Sequence, residues 1–289
     1  MEINQLSRRL EVAVRVAREA GDLTLHYFGI PDLRIDTKSD QSPVTEADRL
    51  AEQLIRKRMS GEFPDDGFLG EEYGDTPGQS ASRWILDPID GTKSFVRGVP
   101  LFGTMIGLET EEDMVAGVIY MPALHEMVFA AKGLGAWWIP GSVQQERSPG
   151  VLACQDPPMD RLPWIESLDA IPARVSNVDT LEQAMFCTTS SSYFDQIGRL
   201  DLFEKLRSSV ALERGWSDCY AHLLVATGRA DFAVDPAMHV WDHAAIKPII
   251  EEAGGVFTDL EGNTTIYGES AVSINGCLHH QIMDVIRAS

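Results

Sequence analysis

The sequence predicts an α+β fold in which layers of helices and sheets are interleaved. Apolar residues recur at helical spacing near both ends of the chain. Between them lie short β-branched and aromatic runs broken by turn residues, a pattern typical of an antiparallel meander. Neither GxGxxG nor GxxxxGK followed by Ser or Thr comes after a predicted strand, which argues against a dinucleotide-binding unit and against a P-loop.

Two helices are predicted in the first part of the chain. The first covers about Leu6–Phe28, where apolar side chains return every three to four positions. The second covers about Thr45–Met59, with Thr45 or Ser42 as its N-cap. Asp48 would lie in the first turn of this helix, where a carboxylate interacts favourably with the helix dipole.

The central strands are predicted, in chain order, as Arg83–Asp87, Phe102–Glu109, Val115–Met121 and Met127–Ala131. A stretch rich in Pro and Gly, Ile139–Pro163, is the predicted joint between an N-terminal sub-domain, residues 1–150, and a C-terminal sub-domain, residues 151–289. Strands and helices alternate in the second sub-domain, with strands at Met185–Thr189 and Asp231–Val234 and helices at Ser217–Thr227, His243–Ala253 and Leu278–Ala288.

The charge balance excludes two classes of partner. The chain has 289 residues, with 44 acidic against 24 basic side chains and a formal net charge of -20. Nucleic acids and anionic membranes are normally bound by Lys and Arg patches, so we expect neither as a partner.

No apolar run approaches the length of a membrane span. The four cysteines form no CxxC pair, which predicts reduced, buried thiols in a cytoplasmic protein rather than a zinc site or a disulfide framework.

Two acids stand three residues apart in the segment Leu86–Phe95. Asp87 ends a predicted strand, Pro88 restricts the backbone, and Gly91 permits a tight turn after Asp90. The pair would therefore be held toward one point on a rigid corner, followed by peptide N–H groups that could face an anion. The alternative interpretation is a solvated surface turn, because Asp, Pro and Gly are ordinary turn residues.

Further acids favour a site for a hard cation. Glu71 follows the apolar pair Phe68-Leu69, and Asp242 stands at the start of an apolar helix. Taken singly, Glu71 is equally explained as a solvated loop acid and Asp242 as an N-cap. Taken together with the earlier pair, they supply the carboxylate oxygens that Mg²⁺ prefers. A divalent ion would also reverse the local potential and let an acidic protein bind a phosphate.

At these residues the sequence resembles the inositol monophosphatase superfamily of Mg²⁺-dependent, lithium-sensitive phosphatases. The motifs that carry the resemblance run in order through the chain: Ser42–Asp48, Gly70–Glu72, Trp84–Thr92, Trp241–Ala245 and Ile250–Gly255. The resemblance implies a layered α/β/α/β/α sandwich, a homodimer and a site for two or three Mg²⁺ ions. Hydrolysis of a small phosphate monoester is the activity that it implies.

The resemblance also implies metal ligands. Glu71, Asp87 and the carbonyl of Ile89 would hold the activating Mg²⁺. Asp87, Asp90 and Asp242 would share the second ion, and Glu71 would help to hold a third, weaker one. In this arrangement water attacks phosphorus in line, one ion activates the water, and another stabilises the leaving oxygen.

Catalytic roles follow from the same resemblance. Thr92, paired with Glu71, would orient the attacking water, and Asp48 would support Thr92 rather than bind metal. Gly91 and Thr92 would cradle the phosphate through their main-chain N–H groups. The predicted substrate contacts are Asp90, Gly91, Thr92, Lys93, Asp218 and Asp235.

The sequence around Lys93 most closely resembles that of the histidinol-phosphate phosphatase branch of the superfamily. Asp218 falls where inositol enzymes carry a small residue, and Asp235 falls at an acid that contacts the substrate beyond the phosphate. Two carboxylates near the leaving group would favour a cationic amino alcohol. Asp218 could instead cap a helix, Asp235 could belong to a turn, and Lys93 could be either a phosphate contact or a solvated lysine.

Three other functions stay open. Inositol 1-phosphate is the first alternative substrate, because the two acids could accept hydrogen bonds from sugar hydroxyls. 3′-Phosphoadenosine 5′-phosphate is the second, with Arg97, Arg207 and Arg214 as candidates for its second phosphate. A non-catalytic scaffold that binds a protein partner is the third, but it predicts the loss of at least one metal ligand, and none is lost.

Overall fold

The computed structural model describes residues 1–30, 35–37, 43–141, 162, 164–216 and 218–289. It begins with helices α1 (Ile3–Leu25) and α2 (Glu46–Glu62), between which β1 (Ile35–Thr37) and β2 (Pro43–Thr45) form a two-stranded antiparallel sheet. Both predicted helices are confirmed. Thr45 is the N-cap of α2 and forms a capping box with Asp48, whereas Ser42 lies outside the described residues.

An eight-stranded sheet has the order β10-β9-β8-β7-β6-β5-β3-β4. Its strands are β3 (Gly67–Gly70), β4 (Gly74–Thr76), β5 (Ser82–Asp90), β6 (Gly103–Thr110), β7 (Asp113–Met121), β8 (Glu126–Ala131), β9 (Gly135–Ile139) and β10 (Ile171–Pro172). From β5 to β10 each neighbouring pair is antiparallel, which confirms the predicted meander, and β3 pairs with β5 in parallel.

A second, five-stranded sheet has the order β12-β11-β13-β15-β14. Its strands are β11 (Met185–Cys187), β12 (Leu212–Arg214), β13 (Phe232–Asp235), β14 (Val256–Thr258) and β15 (Ala271–Ile274). The remaining helices are α3 (Thr92–Phe95), α4 (Ser191–Gln196), α5 (Leu200–Ser209), α6 (Asp218–Ala226), α7 (Val240–Ala244), α8 (Ile246–Glu252) and α9 (His279–Arg287).

The two sheets and three groups of helices form five layers. Along β7, Val118 and Tyr120 pack against α1, whereas the alternate residues Ile119 and Met121 pack toward α6 and α8, as the period of two in a strand requires. The helices α6 and α8 also cover one face of the second sheet, and α5 and α9 cover its other face. The predicted α/β/α/β/α sandwich is therefore confirmed.

The predictions for one helix and for the cysteines need correction, and the predicted joint between sub-domains falls mostly outside the described residues. The helix predicted at His243–Ala253 is two helices, α7 and α8. Pro248 has no N–H to bond to the carbonyl four residues earlier, which explains the break. Cys187 and Cys219 are buried, but Cys277 is exposed, and Cys154 lies outside the described residues.

The joint between the predicted sub-domains also falls mostly outside the described ranges, so that the division stays a prediction. Within the part of the chain that the structure describes, no helix combines the length and apolar character needed to cross a membrane.

Candidate active site

Asp87 and Asp90 lie at the carboxyl end of β5 and line the same cleft. In a regular strand, residues three apart point to opposite faces of the sheet. Here the ladder between β5 and β6 shifts register between the two acids, as in a β-bulge. Pro88, inside the bulge, has no N–H to donate to a ladder. The N–H of Ile89 instead donates to Asp87 Oδ1 at 3.1 Å, which holds the turn that brings both carboxylates together.

Glu71 reaches this cleft from the neighbouring strand. Gly70 at the end of β3 stands opposite Leu86 of β5, and the N–H of Glu71 donates to the Leu86 carbonyl at 3.2 Å. Because β3 and β5 run parallel, their carboxyl ends lie at the same edge of the sheet. The Glu71 carboxylate faces that of Asp87 there, and its charge contributes, after burial, to the raised pKa of Asp87. The expectation that Glu71 follows a strand is confirmed.

Asp242 enters the cleft from α7. Its carboxylate accepts the N–H of His239 at 2.8 Å, and the two residues form a capping box in which His239 is the N-cap. The alternative that Asp242 is itself the N-cap is wrong, because it is the third residue of the helix. Histidine is not among the residues that usually cap helices, so no N-cap residue predicted a start before His243.

Three of these carboxylates have the spacing of a metal site. Among the described residues, Asp87, Asp90 and Asp242 each offer one ligand oxygen, and these oxygens lie within 4.8 Å of one another. Mg²⁺ binds oxygen at about 2.0–2.1 Å, so ligands on opposite sides of the ion are about 4.2 Å apart. A set of hard oxygen donors at this spacing fits Mg²⁺ with small side-chain adjustments.

The acids of the cleft raise one another's pKa. Burial, followed by the charges of Glu71, Asp90 and Asp242, raises the pKa of Asp87 well above its usual range. Burial, with the charges of Asp218 and Asp242, does the same to the pKa of Asp90. Burial is also the largest cause that raises the pKa of Asp242, to about 7. A divalent cation would relieve this accumulation of negative charge.

We expect Mg²⁺ to raise the melting temperature more at about pH 8 than at about pH 5. The pKa values of the folded acids are raised above the unfolded value of 3.8, so the metal-free folded state binds more protons than the unfolded state in this window. Stability without metal therefore falls as pH rises from about 4 toward 7. At about pH 5 the cation must also displace bound protons.

Thermal unfolding followed by circular dichroism, with EDTA or Mg²⁺ at each pH, measures this difference. NaCl at matched ionic strength controls for screening of the charges. An equal shift in melting temperature at the two pH values would contradict the expectation.

Thr92 and Asp48 lie next to each other at the base of the cleft. The Thr92 hydroxyl donates to the Ile89 carbonyl at 3.0 Å and lies 3.4 Å from Asp48 Oδ1. The other Asp48 oxygen accepts the N–H of Thr45 at 2.7 Å and its hydroxyl at 2.6 Å. Asp48 is 1% exposed and lies behind Thr92. This placement suits a support for Thr92, as the resemblance implies.

The cleft has a volume of about 640 Å³ and collects nearly all predicted site residues. The predicted residues among its lining are Glu71, Asp87, Ile89, Asp90, Gly91, Thr92, Lys93, Asp218, Asp235 and Asp242. Sequence reasoning missed other lining residues, including Thr189, Tyr193, Met238, His239 and Trp241. Trp241 belongs to the Trp241–Ala245 motif that carries the resemblance, whereas Thr189, Tyr193, Met238 and His239 lie in none of those motifs.

Asp218 is the first residue of α6 and approaches Gly91. A Cβ at Gly91 would lie 3.0 Å from Asp218 Oδ2. The φ angle of Asp218 is 55°, in the left-handed region that few residues other than glycine adopt, and its N–H donates to Thr189 Oγ1 at 2.9 Å. The next N–H, of Cys219, donates to Asp90 Oδ2 at 2.5 Å. The start of α6 is thus fixed against the carboxylate corner.

Asp235 ends β13 and is buried at the cleft wall. Its Oδ1 accepts the Thr188 hydroxyl at 3.0 Å and the Thr189 N–H at 2.7 Å. Its Oδ2 lies 3.1 Å from His222 Nε2, and His222 Nδ1 lies 2.7 Å from Ser273 Oγ. Both carboxylate oxygens therefore have protein partners. A contact of Asp235 with substrate stays a prediction.

Lys93 contacts Tyr193 of α4 across the cleft. Its Nζ donates to the Tyr193 hydroxyl at 2.6 Å and lies 4.9 Å from the centroid of the Tyr193 ring. Lys93 is exposed to solvent and is oriented by Tyr193 of α4, so both interpretations, a solvated lysine and a phosphate contact, stay open. An ammonium group has three N–H donors, so Lys93 keeps the capacity to bind a phosphate oxygen as well.

Comparisons with known proteins identify the family of this chain. The model of the inositol monophosphatase family matches residues 5–288. A histidinol-phosphatase of Chlorobaculum parvum is 41% identical over 96% of each chain, and an inositol-1-monophosphatase of Mesorhizobium japonicum is 31% identical over 92% of this chain and 91% of that protein. The crystal structure of the extragenic suppressor protein suhB from Bartonella henselae superposes with a TM-score of 0.81 and 27% identity, over 97% of this chain and 98% of that one. The chain belongs to the inositol monophosphatase family.

Proposed function

We propose that this protein is a Mg²⁺-dependent histidinol-phosphate phosphatase, which converts L-histidinol phosphate and water to L-histidinol and phosphate. As a member of its family, the chain is a phosphoric monoester hydrolase. The observation that carries the proposal is the Asp87, Asp90 and Asp242 cluster in a cleft that also contains Asp218. The similarity to a histidinol-phosphatase supports the choice of substrate.

The ligands proposed for Mg²⁺ are Glu71, Asp87, the carbonyl of Ile89, Asp90 and Asp242. When bound, Mg²⁺ supplies positive charge to the phosphate oxygens and acidifies a water molecule. Three observations support Mg²⁺ at this cluster: its donors are oxygens, their spacing suits the ion, and burial together with mutual repulsion raises the pKa values of the acids.

The chain's own groups then bind and orient the reactants. Thr92 Oγ1 donates its proton to the Ile89 carbonyl, so an oxygen lone pair is left to accept a hydrogen bond from water. The N–H groups of Gly91 and Thr92 are the proposed phosphate cradle: Gly91 is the N-cap of α3 and Thr92 its first residue, so neither N–H has a partner within the helix. Attack of water forms one P–O bond while the ester P–O bond breaks, and a proton released by the attacking water balances the one that the leaving oxygen takes up.

Asp218 is the proposed partner of the leaving group. Histidinol carries an ammonium group, which a carboxylate binds through a charge-assisted hydrogen bond. Asp218 is only part-buried, and it stands beside Gly91, where the phosphate is proposed to bind. Asp235 has less capacity for this role because Thr188, Thr189 and His222 already engage its oxygens.

Phosphate release from histidinol phosphate, inositol 1-phosphate and 3′-phosphoadenosine 5′-phosphate, measured side by side with Mg²⁺, tests the proposal. We expect kcat/KM for histidinol phosphate to exceed the other two by at least about tenfold, the effect of one charge-assisted hydrogen bond. Equal values for the three substrates would contradict the specificity. Release from none of them would favour the non-catalytic scaffold.

Asp218→Asn is expected to lower kcat/KM for histidinol phosphate by roughly 10- to 100-fold, because a hydrogen bond to a charged group contributes about 1.5–3 kcal/mol. The value for inositol 1-phosphate should change less, since its ring has no cation. The ratio of the two values isolates the amine contact from any effect on Asp90. Asp201→Asn, at an exposed acid of α5 outside the cleft, is the control. A proportional loss for both substrates would contradict the assignment.

The phosphoadenosine alternative finds little support in the cleft. Lys93 is the one lysine or arginine among the described residues that line it. Of the arginines considered for a second phosphate, Arg207 pairs with Glu204 and Arg214 donates to the Glu213 carbonyl at 2.7 Å. The described part of the cleft thus offers one cationic side chain where two phosphates would need more.

We also propose a cytoplasmic homodimer. The buried thiols support a reducing compartment, since Cys187 and Cys219 are free and burial raises the pKa of Cys187 to about 12. The dimer rests on the family resemblance. Light scattering on the purified protein measures its mass in solution, and a monomer would contradict this part of the proposal.

A further inference from the structure

We propose that Glu52, a buried acid of α2, positions Glu71 and thereby sets the affinity of the site for Mg²⁺. The inference rests on the proposed metal site, and it adds a positioning residue that does not line the cleft. The side chain of Glu52 is fully buried. A buried carboxylate is costly unless its oxygens are fully hydrogen-bonded, so its partners indicate what it holds in place.

Those partners are the backbone directly after Glu71. Glu52 Oε2 accepts the N–H of Glu72 at 2.8 Å, and Oε1 accepts the N–H of Tyr73 at 3.3 Å. Arg56, one turn later on α2, donates to Oε1 at 2.7 Å and supplies the compensating charge. The Glu52 carboxylate therefore hydrogen-bonds the turn between β3 and β4 at the two peptide groups that follow Glu71.

The chain at Gly70 is shaped for this contact. A Cβ at Gly70 would lie 2.1 Å from Glu52 Oε1 and 2.4 Å from Cδ, distances that no side chain could occupy. The absence of a side chain lets the acid of α2 reach the backbone on one side of Glu71, while β5 holds the other side through the Leu86 carbonyl. Glu71 is thus fixed from both directions.

The same helix also supports Thr92. Asp48 and Glu52 are four residues apart on α2, a spacing that places them on one face of the helix. Asp48 approaches the Thr92 hydroxyl, and Glu52 holds the turn that bears Glu71. One rigid helix therefore sets the relative positions of a proposed metal ligand and of the proposed water-orienting hydroxyl.

The variant Glu52→Gln tests whether the hydrogen bonds of Glu52, rather than the volume of its side chain, position Glu71. The amide keeps the shape of the acid but replaces one acceptor oxygen with an NH₂ donor. Three donors surround this group, so the amide must face at least one N–H of Arg56, Glu72 or Tyr73 with a donor of its own. The turn after Glu71 should shift to avoid this clash, and the alignment of Glu71 with Asp87 should be lost.

We expect Glu52→Gln to raise the half-saturating Mg²⁺ concentration by roughly 10- to 100-fold, the usual effect of removing a group that orients a metal ligand. The value of kcat at saturating Mg²⁺ should stay within a few-fold of wild type, because the cation restores the arrangement. Isothermal titration of metal-free protein with Mg²⁺ gives the affinity without reliance on activity, and thermal unfolding gives the cost in stability.

Arg56→Gln is the matched structural control. It removes the charge partner of Glu52, together with the donations of Arg56 to the Gly74 carbonyl at 2.6 Å and to Thr76 Oγ1 at 3.0 Å, but leaves the contacts of Glu52 with the Glu72 and Tyr73 N–H groups. It should lower the melting temperature while changing Mg²⁺ affinity by less than about threefold, since no metal-orienting contact is removed. Gly70→Ala, which displaces the Glu52 carboxylate by steric contact, provides a second variant if Glu52→Gln does not fold.

An unchanged Mg²⁺ affinity in both Glu52→Gln and Gly70→Ala would overturn the inference, as would an equal loss of affinity in Arg56→Gln. Failure of the wild-type protein to bind Mg²⁺ would overturn the proposed metal site itself, so the two failures are distinguishable.

Discussion

Asp87→Asn and Asp90→Asn are each expected to reduce phosphate release by roughly 10³-fold or more, in line with the loss of a principal electrostatic group from an active site. Asp87→Asn removes a proposed ligand of two cations and Asp90→Asn a proposed ligand of one, and a neutral amide binds Mg²⁺ more weakly than a carboxylate. The fold should survive, because asparagine has the same shape. It also removes one charge from a corner where like charges repel.

Metal-free variants should therefore melt at or above the temperature of the metal-free wild type, and the increase that Mg²⁺ produces should largely disappear. Steady-state release of phosphate and thermal unfolding with EDTA or Mg²⁺ measure the two effects. Asp284→Asn, at a side chain that is 79% exposed on α9, serves as the control for a lost acid elsewhere. Turnover near the wild-type rate at saturating Mg²⁺ would contradict the proposed metal site.

Gly91→Ala is expected to lower kcat/KM by about 10²-fold or more. The φ angle of Gly91 is 86°, and a Cβ there would lie 3.0 Å from both the Leu101 carbonyl oxygen and Asp218 Oδ2. The left-handed conformation costs an L-residue about 1–2 kcal/mol, and the crowded carbonyl belongs to rigid backbone. Displacement of the corner would misplace the start of α3, where the phosphate is proposed to bind, and small misplacements of this kind cost about 10² in rate.

Gly254→Ala is the matched control for this variant. The φ angle of Gly254 is 87°, nearly the same as that of Gly91, but nothing lies within 4 Å of its ideal Cβ. Its stability should fall by a similar conformational cost, whereas its activity should stay within about threefold of wild type, because no site contact changes. Equal losses of activity in the two variants would show that backbone strain alone explains the effect.

The sequence predicted the carboxylate corner because its determinants are local. Asp87, Pro88, Asp90 and Gly91 lie within five residues, and the restricted Pro and permissive Gly dictate the turn whatever surrounds it. The placement of Glu71 was predictable for a similar reason, since the apolar residues before it indicate a strand that ends on the acid.

The support around the corner was not predictable from spacing. Glu52 looks like an ordinary helical acid, and its role depends on how α2 lies against a turn about 20 residues later. The helix α7 starts before the predicted position because its N-cap is His239, a residue that rarely caps helices, which forms a capping box with Asp242. The strands β14 and β15 contain only three and four residues and are mostly buried. Apolar runs as short as these cannot be told from loop segments by their pattern alone.

The distance along the chain between β5 and α7 has a kinetic consequence. Asp90 and Asp242 are separated by about 150 residues, yet their carboxylates meet in one cluster. Contacts between such remote segments carry the entropy cost of closing a long loop, so we expect this cluster to form after the rate-limiting step of folding. An ion that binds this cluster would therefore be absent from the rate-limiting step of folding. It would prolong the lifetime of the assembled molecule and leave the speed of its assembly unchanged.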